Sequence, residues 1–130
     1  MSGTGFSKPA QIKVGVIGYG GAFDMGRVHL EQMRAAGMTP VAVCEIDPGR
    51  LAAAAVDFPG IGRFGTLAEM LRKSDVDLLT IITPHNSHAR LARQCLRAGR
   101  HVVCEKPLAI TTAEVDGMIA SAAKAGVLLS

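Results

Sequence analysis

Short apolar runs alternate with longer segments of helical period along almost the whole chain, and this alternation restricts the fold more than any other feature. The predicted strands are Ile12 to Ile17, Pro40 to Cys44, a short one near Arg63 and Phe64, Asp77 to Ile82, His101 to Cys104, and Val127 to Leu129. Their order with the helices is β-α-β-α-β-α-β-α-β-α-β. Because strands joined through helices run parallel with right-handed crossovers, the pattern predicts an α/β domain with an open, doubly wound parallel sheet.

Glycine and capping residues mark where the predicted helices end and begin. Glycine follows three helical segments, at the position where a left-handed residue closes a helix: Gly37, Gly99 and Gly126. One of these helices is predicted from Met25 to Ala36, and another ends at Ala98. N-terminal caps are expected for three helices: Asp47, Thr66, and the pair Thr111 and Glu114, which forms a capping box.

Size, charge and composition favour one soluble domain. The chain has 130 residues, 48% of them hydrophobic, and we place one core at residues 12–130 after a flexible segment 1–11. The net charge of +3 is small and the arginines are scattered, which argues against nucleic acid. No apolar run approaches the ~20 residues of a membrane span, so we expect a cytoplasmic protein without a membrane partner. The three cysteines lack zinc-site spacing and are expected to be buried, reduced thiols: Cys44, Cys95 and Cys104.

A glycine-rich stretch follows the first strand, where a dinucleotide-binding turn belongs in a Rossmann fold. Gly18 permits a tight turn, and Gly20 lets the backbone approach a pyrophosphate that the amides of the next helix stabilise. Read without a gap, the third position of the G-x-G-x-x-G pattern is Phe23. With three extra residues it is Gly26, which then lets the helix pack closely on the strand. The motif alone is weak, because such turns also occur without a ligand.

The end of the second strand bears on the choice of cofactor. Glu45 stands where a ribose 2′-hydroxyl needs an acceptor, although it lies farther from Gly18 than the usual ~20 residues. A carboxylate there repels a 2′-phosphate and favours NAD, whereas Arg50 on the next helix is in place to bind one. The alternatives are a solvated strand end for Glu45, a plain helix cap for Asp47 and an exposed charge for Arg50.

Polar residues also follow the fourth strand, across the expected crevice from the glycine turn. Thr83 and Asn86 are placed to contact the nicotinamide ribose or carboxamide. An alternative role of Asn86 or Ser87 is to cap the next helix, and His88 falls on an apolar stripe where a packed core histidine is equally expected. Three arginines share the opposite face of that helix and are expected to be solvated: Arg90, Arg93 and Arg97.

The tripeptide Glu105-Lys106-Pro107 follows the fifth strand and is the most informative in the chain. A lysine held at this edge by the proline would stand beside the nicotinamide. Partial burial and the positive charge of the oxidised ring would both lower the pKa of Lys106, which would then exchange a proton with a hydroxyl being oxidised. The alternative is a surface loop that holds a lysine. The histidines form no ligand pattern with cysteines or carboxylates, so no metal is expected.

These segments together resemble one family, the glucose-fructose oxidoreductase, inositol dehydrogenase and rhizopine-catabolism family, Gfo/Idh/MocA. The resemblance covers Ile12 to Ser130. Its motifs are Val14-Gly15-Val16-Ile17-Gly18, Val41-Ala42-Val43-Cys44-Glu45, Thr83-Pro84 with His88, Ala98-Gly99-Arg100-His101-Val102, and Glu105-Lys106-Pro107-Leu108. As a set they are far more specific than the glycine turn.

The resemblance implies a bound NAD or NADP, hydride exchange at a hydroxyl of a sugar, inositol or other polyol, and a catalytic Lys106. With the residue patterns above, it predicts these cofactor-binding residues: Gly18, Gly20, Gly21, Ala22, Phe23, Met25, Glu45, Ile46, Arg50, Thr83, Pro84, Asn86, His88, Glu105 and Lys106. The longer glycine turn departs from the commonest family pattern, which leaves open whether Ala22, Phe23 or Met25 lines the pyrophosphate.

Family members continue into a second, substrate-binding α/β domain rich in antiparallel sheet, whereas this sequence stops at Ser130. We therefore expect a fragment that binds the dinucleotide but is inactive by itself. Its uncovered apolar face would favour self-association into a homo-oligomer. The main alternative is a non-catalytic nucleotide-sensing module that acts through a protein partner. A nucleoside-cofactor methyltransferase ranks third, because it gives Glu105-Lys106-Pro107 no role.

Overall fold

Five strands and four helices alternate along the described part of the chain. The computed structural model describes residues 12–20, 25–82, 88–104 and 126. The strands are β1 (Lys13–Ile17), β2 (Thr39–Cys44), β3 (Gly62–Phe64), β4 (Leu78–Ile81) and β5 (His101–Cys104). The helices are α1 (Met25–Ala35), α2 (Pro48–Asp57), α3 (Leu67–Lys73) and α4 (His88–Arg97). The predicted boundaries in this part are met to within about one residue, while the predicted helix from Thr111 and strand Val127 to Leu129 lie outside the described residues.

The five strands form a single parallel sheet in the order β3-β2-β1-β4-β5. From β1 the chain winds outward through β2 to β3, and it then returns to the other side of β1 to form β4. In an open sheet, ligands bind in the crevice beyond the carboxyl ends of the two strands where the order reverses. The doubly wound fold predicted from the sequence is confirmed, and its reversal point lies between β1 and β4.

Helices cover both faces of the sheet and form two buried clusters. On one face, Leu30 of α1 and Ala54 of α2 pack into a cluster with Val16 of β1. On the other face, Met70 of α3 and Leu96 of α4 belong to a cluster that includes apolar residues of β4. Because successive strand residues point to opposite faces, a strand covered on both sides is apolar throughout, which explains the unbroken apolar runs in the sequence.

Local signals at the helix ends agree with the sequence analysis. The Asp47 carboxylate accepts hydrogen bonds from two amides at the start of α2, and the Thr66 hydroxyl accepts one from the Glu69 amide at 3.2 Å, so both predicted caps are confirmed. Glycines of positive φ stand at the predicted stops: Gly37, Gly99 and Gly126. Within the described ranges, none of the helices has the length and apolar content that crossing a membrane requires.

Candidate functional site

Four strands end in register at the carboxyl edge of the sheet. Ile17 of β1 pairs with Cys44 of β2 on one side and with Ile81 of β4 on the other, and Ile81 pairs with Cys104 of β5. Neighbouring parallel strands lie ~4.8 Å apart, so the ends of β1 and β5 are separated by two spacings, or about 10 Å. The chain therefore leaves all four strands along one edge, and the predicted site residues come after these four strands in the sequence.

The glycine turn begins directly after β1. Gly18 and Gly20 have φ values of 103° and 78°, in the left-handed region that only glycine adopts without strain. The Gly18 amide donates to the Cys44 carbonyl at 2.8 Å, which ties the start of the turn to the end of β2. The start of the turn is thus a tight change of direction that two glycines of positive φ make possible.

Gly26 lies where the helix after the turn meets the turn itself. A Cβ at Gly26 would stand 2.5 Å from the Gly18 carbonyl oxygen and 3.0 Å from the Tyr19 Cα, both backbone atoms. Only glycine therefore lets α1 start so close to the strand. The close packing of helix on strand expected at Gly26 is confirmed, and it brings the amino end of α1 against the turn.

Glu45 links the two turns at the ends of β1 and β2. Its Oε1 accepts a hydrogen bond from the Tyr19 amide at 2.9 Å, and its Oε2 accepts one from the Asp47 amide at 2.8 Å. Glu45 is only 8% exposed, so the alternative interpretation as a solvated strand end is wrong. An ionised carboxylate has about four acceptor sites, and each oxygen retains capacity for a further donor such as a ribose hydroxyl.

Tyr19, between the two glycines of the turn, was missed by the sequence analysis. Its ring is 2% exposed, and its hydroxyl donates to Asp57 Oδ2 at the end of α2, at 2.6 Å. The sequence did indicate a structural role for Tyr19, because a large aromatic side chain between two glycines of a turn is expected to be buried against neighbouring elements. Its partner Asp57 carried no comparable signal.

The start of α2 forms the outer wall of the turn. Asp47 caps this helix, with Oδ1 accepting from the Gly49 and Arg50 amides at 2.8 and 3.2 Å, so its interpretation as a helix cap is confirmed. The aliphatic stem of Arg50 covers Gly20, where a Cβ would lie 3.0 Å from the Arg50 Cγ. The Arg50 Nε lies 3.9 Å from Asp47 Oδ2, and the side chain is 51% exposed. Arg50 is therefore placed beside the turn with its guanidinium open to solvent.

A cleft of about 440 Å³ lies at the same edge of the sheet. One wall consists of the turn and the end of β2, including Gly18, Glu45 and Ile46, whose side chain is 87% exposed. The facing wall comes from α3 and α4, including Arg90 and Gln94, and the sequence analysis missed this wall entirely. Arg90 could have been predicted from its position in the first turn of the helix after β4. In a parallel sheet such a helix begins at the carboxyl edge of the strands.

The three arginines expected on a solvated face of α4 differ in exposure. Arg90 and Arg97 are exposed, whereas Arg93 is partly buried with its Nε enclosed, so the expectation is wrong for Arg93. Helix α4 packs against the sheet through a broad apolar stripe, and a residue at the border of such a stripe is partly covered.

Cys44 is the thiol that lines the cleft. Burial, and secondarily the negative charge of Glu45, raise the pKa of Cys44 to about 11. The thiol is therefore neutral at ordinary pH, and a neutral thiol is a poor nucleophile. Cys44 and Cys95 are both buried, as expected from the sequence.

Several predicted site residues lie outside the described part of the chain: Gly21, Ala22, Phe23, Thr83, Pro84, Asn86, Glu105 and Lys106. Met25 and His88 are the first residues of α1 and α4, at the carboxyl edge. The structure thus brings Gly18, Gly20, Glu45, Ile46 and Arg50 together around one turn. Among the described residues, no cluster of three or more histidine, cysteine or acidic side chains is arranged to hold a metal ion.

A doubly wound sheet with a left-handed glycine turn against a helix start defines the class of nucleotide-binding Rossmann domains. Over residues 12–130 the chain matches the oxidoreductase family with an NAD-binding Rossmann fold, Gfo/Idh/MocA. The chain belongs to this family, and the resemblance drawn from its motifs is confirmed. The matched residues correspond to the Rossmann fold of that family.

Curated relatives include dehydrogenases of cyclic hydroxylated compounds. The chain is 35% identical over 115 residues to 1-carboxy-3-chloro-3,4-dihydroxycyclohexa-1,5-diene dehydrogenase of Comamonas testosteroni, covering 88% of this chain and 28% of that protein. It is 34% identical over 119 residues to inositol 2-dehydrogenase of Salmonella typhimurium, covering 88% of this chain and 34% of that protein. The chain therefore spans about a third, or less, of the length of these relatives.

Solved structures with the same fold include two with a nicotinamide cofactor. The WlbA dehydrogenase from Bordetella pertussis, in complex with NADH and UDP-GlcNAcA, superposes with a TM-score of 0.83 at 32% identity, over 91% of this chain and 36% of that one. GenD2 from gentamicin A biosynthesis, in complex with NAD, superposes with a TM-score of 0.82 at 32% identity, over 92% and 33%.

Proposed function

We propose that this chain binds NAD along the carboxyl edge of its sheet, as the cofactor domain of a dehydrogenase that acts on a hydroxyl of a sugar, inositol or related polyol. The observation that carries the proposal is the contact of Gly26 with the Gly18 carbonyl. This contact places the amino end of α1, with its positive dipole end and first amides that lack partners within the helix, against the glycine turn. Such an arrangement suits the two negative charges of a pyrophosphate.

The dimensions and lining of the site fit a dinucleotide. The cleft beside the turn is mostly apolar, with Ile46 on one wall and the α3 and α4 residues on the other, which suits a planar base. The end of β5 lies about 10 Å from the turn, within reach of one extended molecule. Glu45 after β2 and Lys106 after β5 would then serve opposite ends of it.

The charges around the turn favour NAD over NADP. The Glu45 carboxylate is buried at the junction of the two turns, so a 2′-phosphate nearby would face a poorly screened negative charge. Arg50 offers a positive charge to such a phosphate, but Asp47 already lies beside that guanidinium. The ribose 2′-hydroxyl of NAD, a neutral donor, would meet a carboxylate with acceptor capacity to spare.

In the proposed reaction, the residues of this chain would bind the cofactor and accept a proton. Bound NAD would supply the acceptor for a hydride from the substrate carbon. Lys106 would take the hydroxyl proton as the carbon–oxygen double bond forms, and the lysine would become an ammonium ion. The glycine turn and Glu45 would hold the cofactor in place, which supplies the orientation that hydride transfer needs. The polyol class of the substrate is supported by relatives such as inositol 2-dehydrogenase.

A titration of NADH into the purified chain tests the cofactor assignment. We expect saturable binding by fluorescence or calorimetry, with competition by NAD. The Asp75→Ala variant is a suitable control, because Asp75 pairs with Lys13 at the amino edge of the sheet, away from the turn. The absence of saturable binding at millimolar NADH would contradict the proposal.

The catalytic assignment needs a protein that also holds the substrate, so Lys106→Ala is tested in a full-length protein that carries this domain. We expect turnover to fall by at least about a hundredfold, the usual contribution of a general acid-base group, while NADH affinity stays within a few-fold. Turnover that survives the substitution would instead favour a non-catalytic, nucleotide-sensing role for this domain.

A further inference from the structure

We propose that Tyr19 is a positioning residue of the cofactor turn, and that its hydrogen bonds to Glu45 and Asp57 set the affinity of the chain for the pyrophosphate group. The proposal rests on the proposed binding of NAD. It assigns a role to Tyr19 and Asp57, neither of which is among the cofactor-binding residues expected from the sequence. Both contacts lie within the protein itself and hold the residue between Gly18 and Gly20.

The backbone contact fixes the residue that lies between the two described glycines of the turn. Tyr19 stands between Gly18 and Gly20, which both have positive φ and which lose more conformational freedom on ordering than other residues. The Tyr19 amide donates to Glu45 Oε1 at 2.9 Å in a buried position. Without this bond, the backbone at Tyr19, with a glycine on each side, would adopt many conformations. Cofactor binding would then lose free energy to the ordering of this backbone.

The side chain contact ties the same residue to two helices. The Tyr19 ring belongs to the buried cluster that also holds Leu30 of α1 and Ala54 of α2. A Cβ at Gly26 would stand 3.0 Å from the Tyr19 Cδ1, so the ring lies directly under the start of α1. The hydroxyl donates to Asp57 Oδ2 at 2.6 Å, the short distance expected for a bond to a carboxylate. Tyr19 therefore sets the turn relative to the helix amides that would face the pyrophosphate.

The position of Asp57 separates this role from helix stability. Asp57 is the last residue of α2, where a negative charge opposes the helix dipole, and the last turn of α2 has no basic residue to offset it. Removal of this carboxylate relieves that unfavourable charge in the helix, but it also takes the acceptor from the Tyr19 hydroxyl, which costs the free energy of one hydrogen bond. Thermal melting therefore measures the effect on the fold, and the comparison of ADP with adenosine measures the effect on the turn.

The experiment compares Asp57→Ala, Asp57→Asn and Tyr19→Phe with the unmodified chain, using NADH, ADP and adenosine as ligands and thermal melting as a second measurement. Asp57→Ala removes the acceptor, while Asp57→Asn keeps an amide oxygen that can accept the same bond. Asp75→Ala removes an equal charge at the opposite edge of the sheet. It thus measures the long-range electrostatic effect, which by itself would strengthen binding of an anion.

We expect Asp57→Ala and Tyr19→Phe to raise the Kd of NADH and of ADP by about three- to tenfold, the range of one lost hydrogen bond. Adenosine, which lacks the pyrophosphate, should bind as before. Asp57→Asn should bind NADH within about twofold of the unmodified chain, and Asp57→Ala should melt lower by several degrees at most.

Two results would overturn the proposal, and they differ in what else they affect. If the unmodified chain binds NADH and Asp57→Ala binds it equally tightly, or loses ADP and adenosine to the same degree, Tyr19 does not position the turn and the proposed function stands. If the unmodified chain binds neither NADH nor ADP, the proposed function itself fails, and the role of Tyr19 fails with it.

Discussion

At the scale of single residues, the site depends on positions where one atom more would not fit. Gly26 shows this most directly, because two of the three atoms that a Cβ would meet belong to the backbone of Gly18 and Tyr19 and cannot move aside as a flexible side chain would. Helix α1 would have to move away from the turn to accommodate even a methyl group. Such a movement would carry the helix amides away from the place where a pyrophosphate would bind.

The Gly26→Ala substitution tests this geometry. We expect a loss of stability of about 1–3 kcal/mol, typical of overpacking, and a loss of NADH affinity of at least about tenfold. Chemical denaturation and NADH titration measure the two effects. Gly49→Ala is the matched control, since its Cβ would meet only the Asp47 side chain at 3.2 Å and its position in α2 favours alanine. Equal stability and affinity for Gly26→Ala and the unmodified chain would show that α1 does not depend on this contact.

The residues of the site differ in how far the sequence predicts them. Gly26 was predictable, because the number of candidate glycines after a strand is small and each has a defined role in the pattern. The inward direction of Glu45 was not, because it depends on a donor, the Tyr19 amide, that faces it only after β1 and β2 have paired. Arg90 and Gln94 in the cleft likewise follow from helix packing, which periodicity gives only approximately.

At the scale of secondary structure elements, Arg100 joins three of them at the amino edge of the sheet. Its guanidinium donates to the carbonyls of Val76 at 2.8 Å, Leu71 at 2.9 Å and Ser74 at 3.1 Å, and to its near neighbour Ala98 at 2.7 Å. The end of α3, the loop before β4 and the segment after α4 are thereby held together. Arg100 belongs to the motif Ala98-Gly99-Arg100-His101-Val102, which helped to indicate the family. Its hydrogen bonds give this motif a structural role.

Replacement of Arg100 by leucine should destabilise the domain by about 2–3 kcal/mol, because several carbonyls lose a charged donor and some stay partly buried. Arg100→Lys should recover only part of this loss, since an ammonium group cannot reproduce the planar fork. Urea unfolding measures both variants. Arg97→Leu, an exposed position on α4, should stay within about 0.5 kcal/mol of the unmodified chain. If Arg100→Leu leaves the stability unchanged, water forms hydrogen bonds to these carbonyls as favourably as the arginine does.

The elements themselves were predictable because several local signals coincide at each boundary. Strand β2 ends where Glu45 interrupts the apolar run, and α2 begins where Asp47 caps it, so pattern and capping agree. Strand β3 was the weakest element in the sequence, with three residues and no apolar run. Its place at the edge of the described sheet explains the weak signal, because among the strands that the structure describes it pairs with β2 alone.

At the scale of the whole molecule, the order β3-β2-β1-β4-β5 makes β1 the strand on which both halves of the fold depend. Its residues enter the buried clusters on both faces, with Val16 in one and Ile17 in the other. The turn after β1 is therefore attached to the most central part of the core. A ligand that binds this turn should stabilise the domain as a unit and not only a local loop.

This coupling gives a prediction for cofactor choice that melting of the whole domain measures. A ligand at a hundred times its Kd stabilises a fold by about 2.7 kcal/mol, so NADH should raise the melting temperature by an amount that grows with its concentration. NADPH at equal concentration should raise it less, because its 2′-phosphate would be placed beside the buried charge of Glu45, and this charge has no cationic partner among the contacts described for it.

The Glu45→Gln variant removes the charge and keeps an acceptor oxygen, so the difference between the two cofactors should shrink, mainly through a gain for NADPH. Equal shifts with NADH and NADPH in the unmodified chain would instead mean that Arg50, half-exposed beside the turn, compensates the carboxylate and that the site accepts both cofactors.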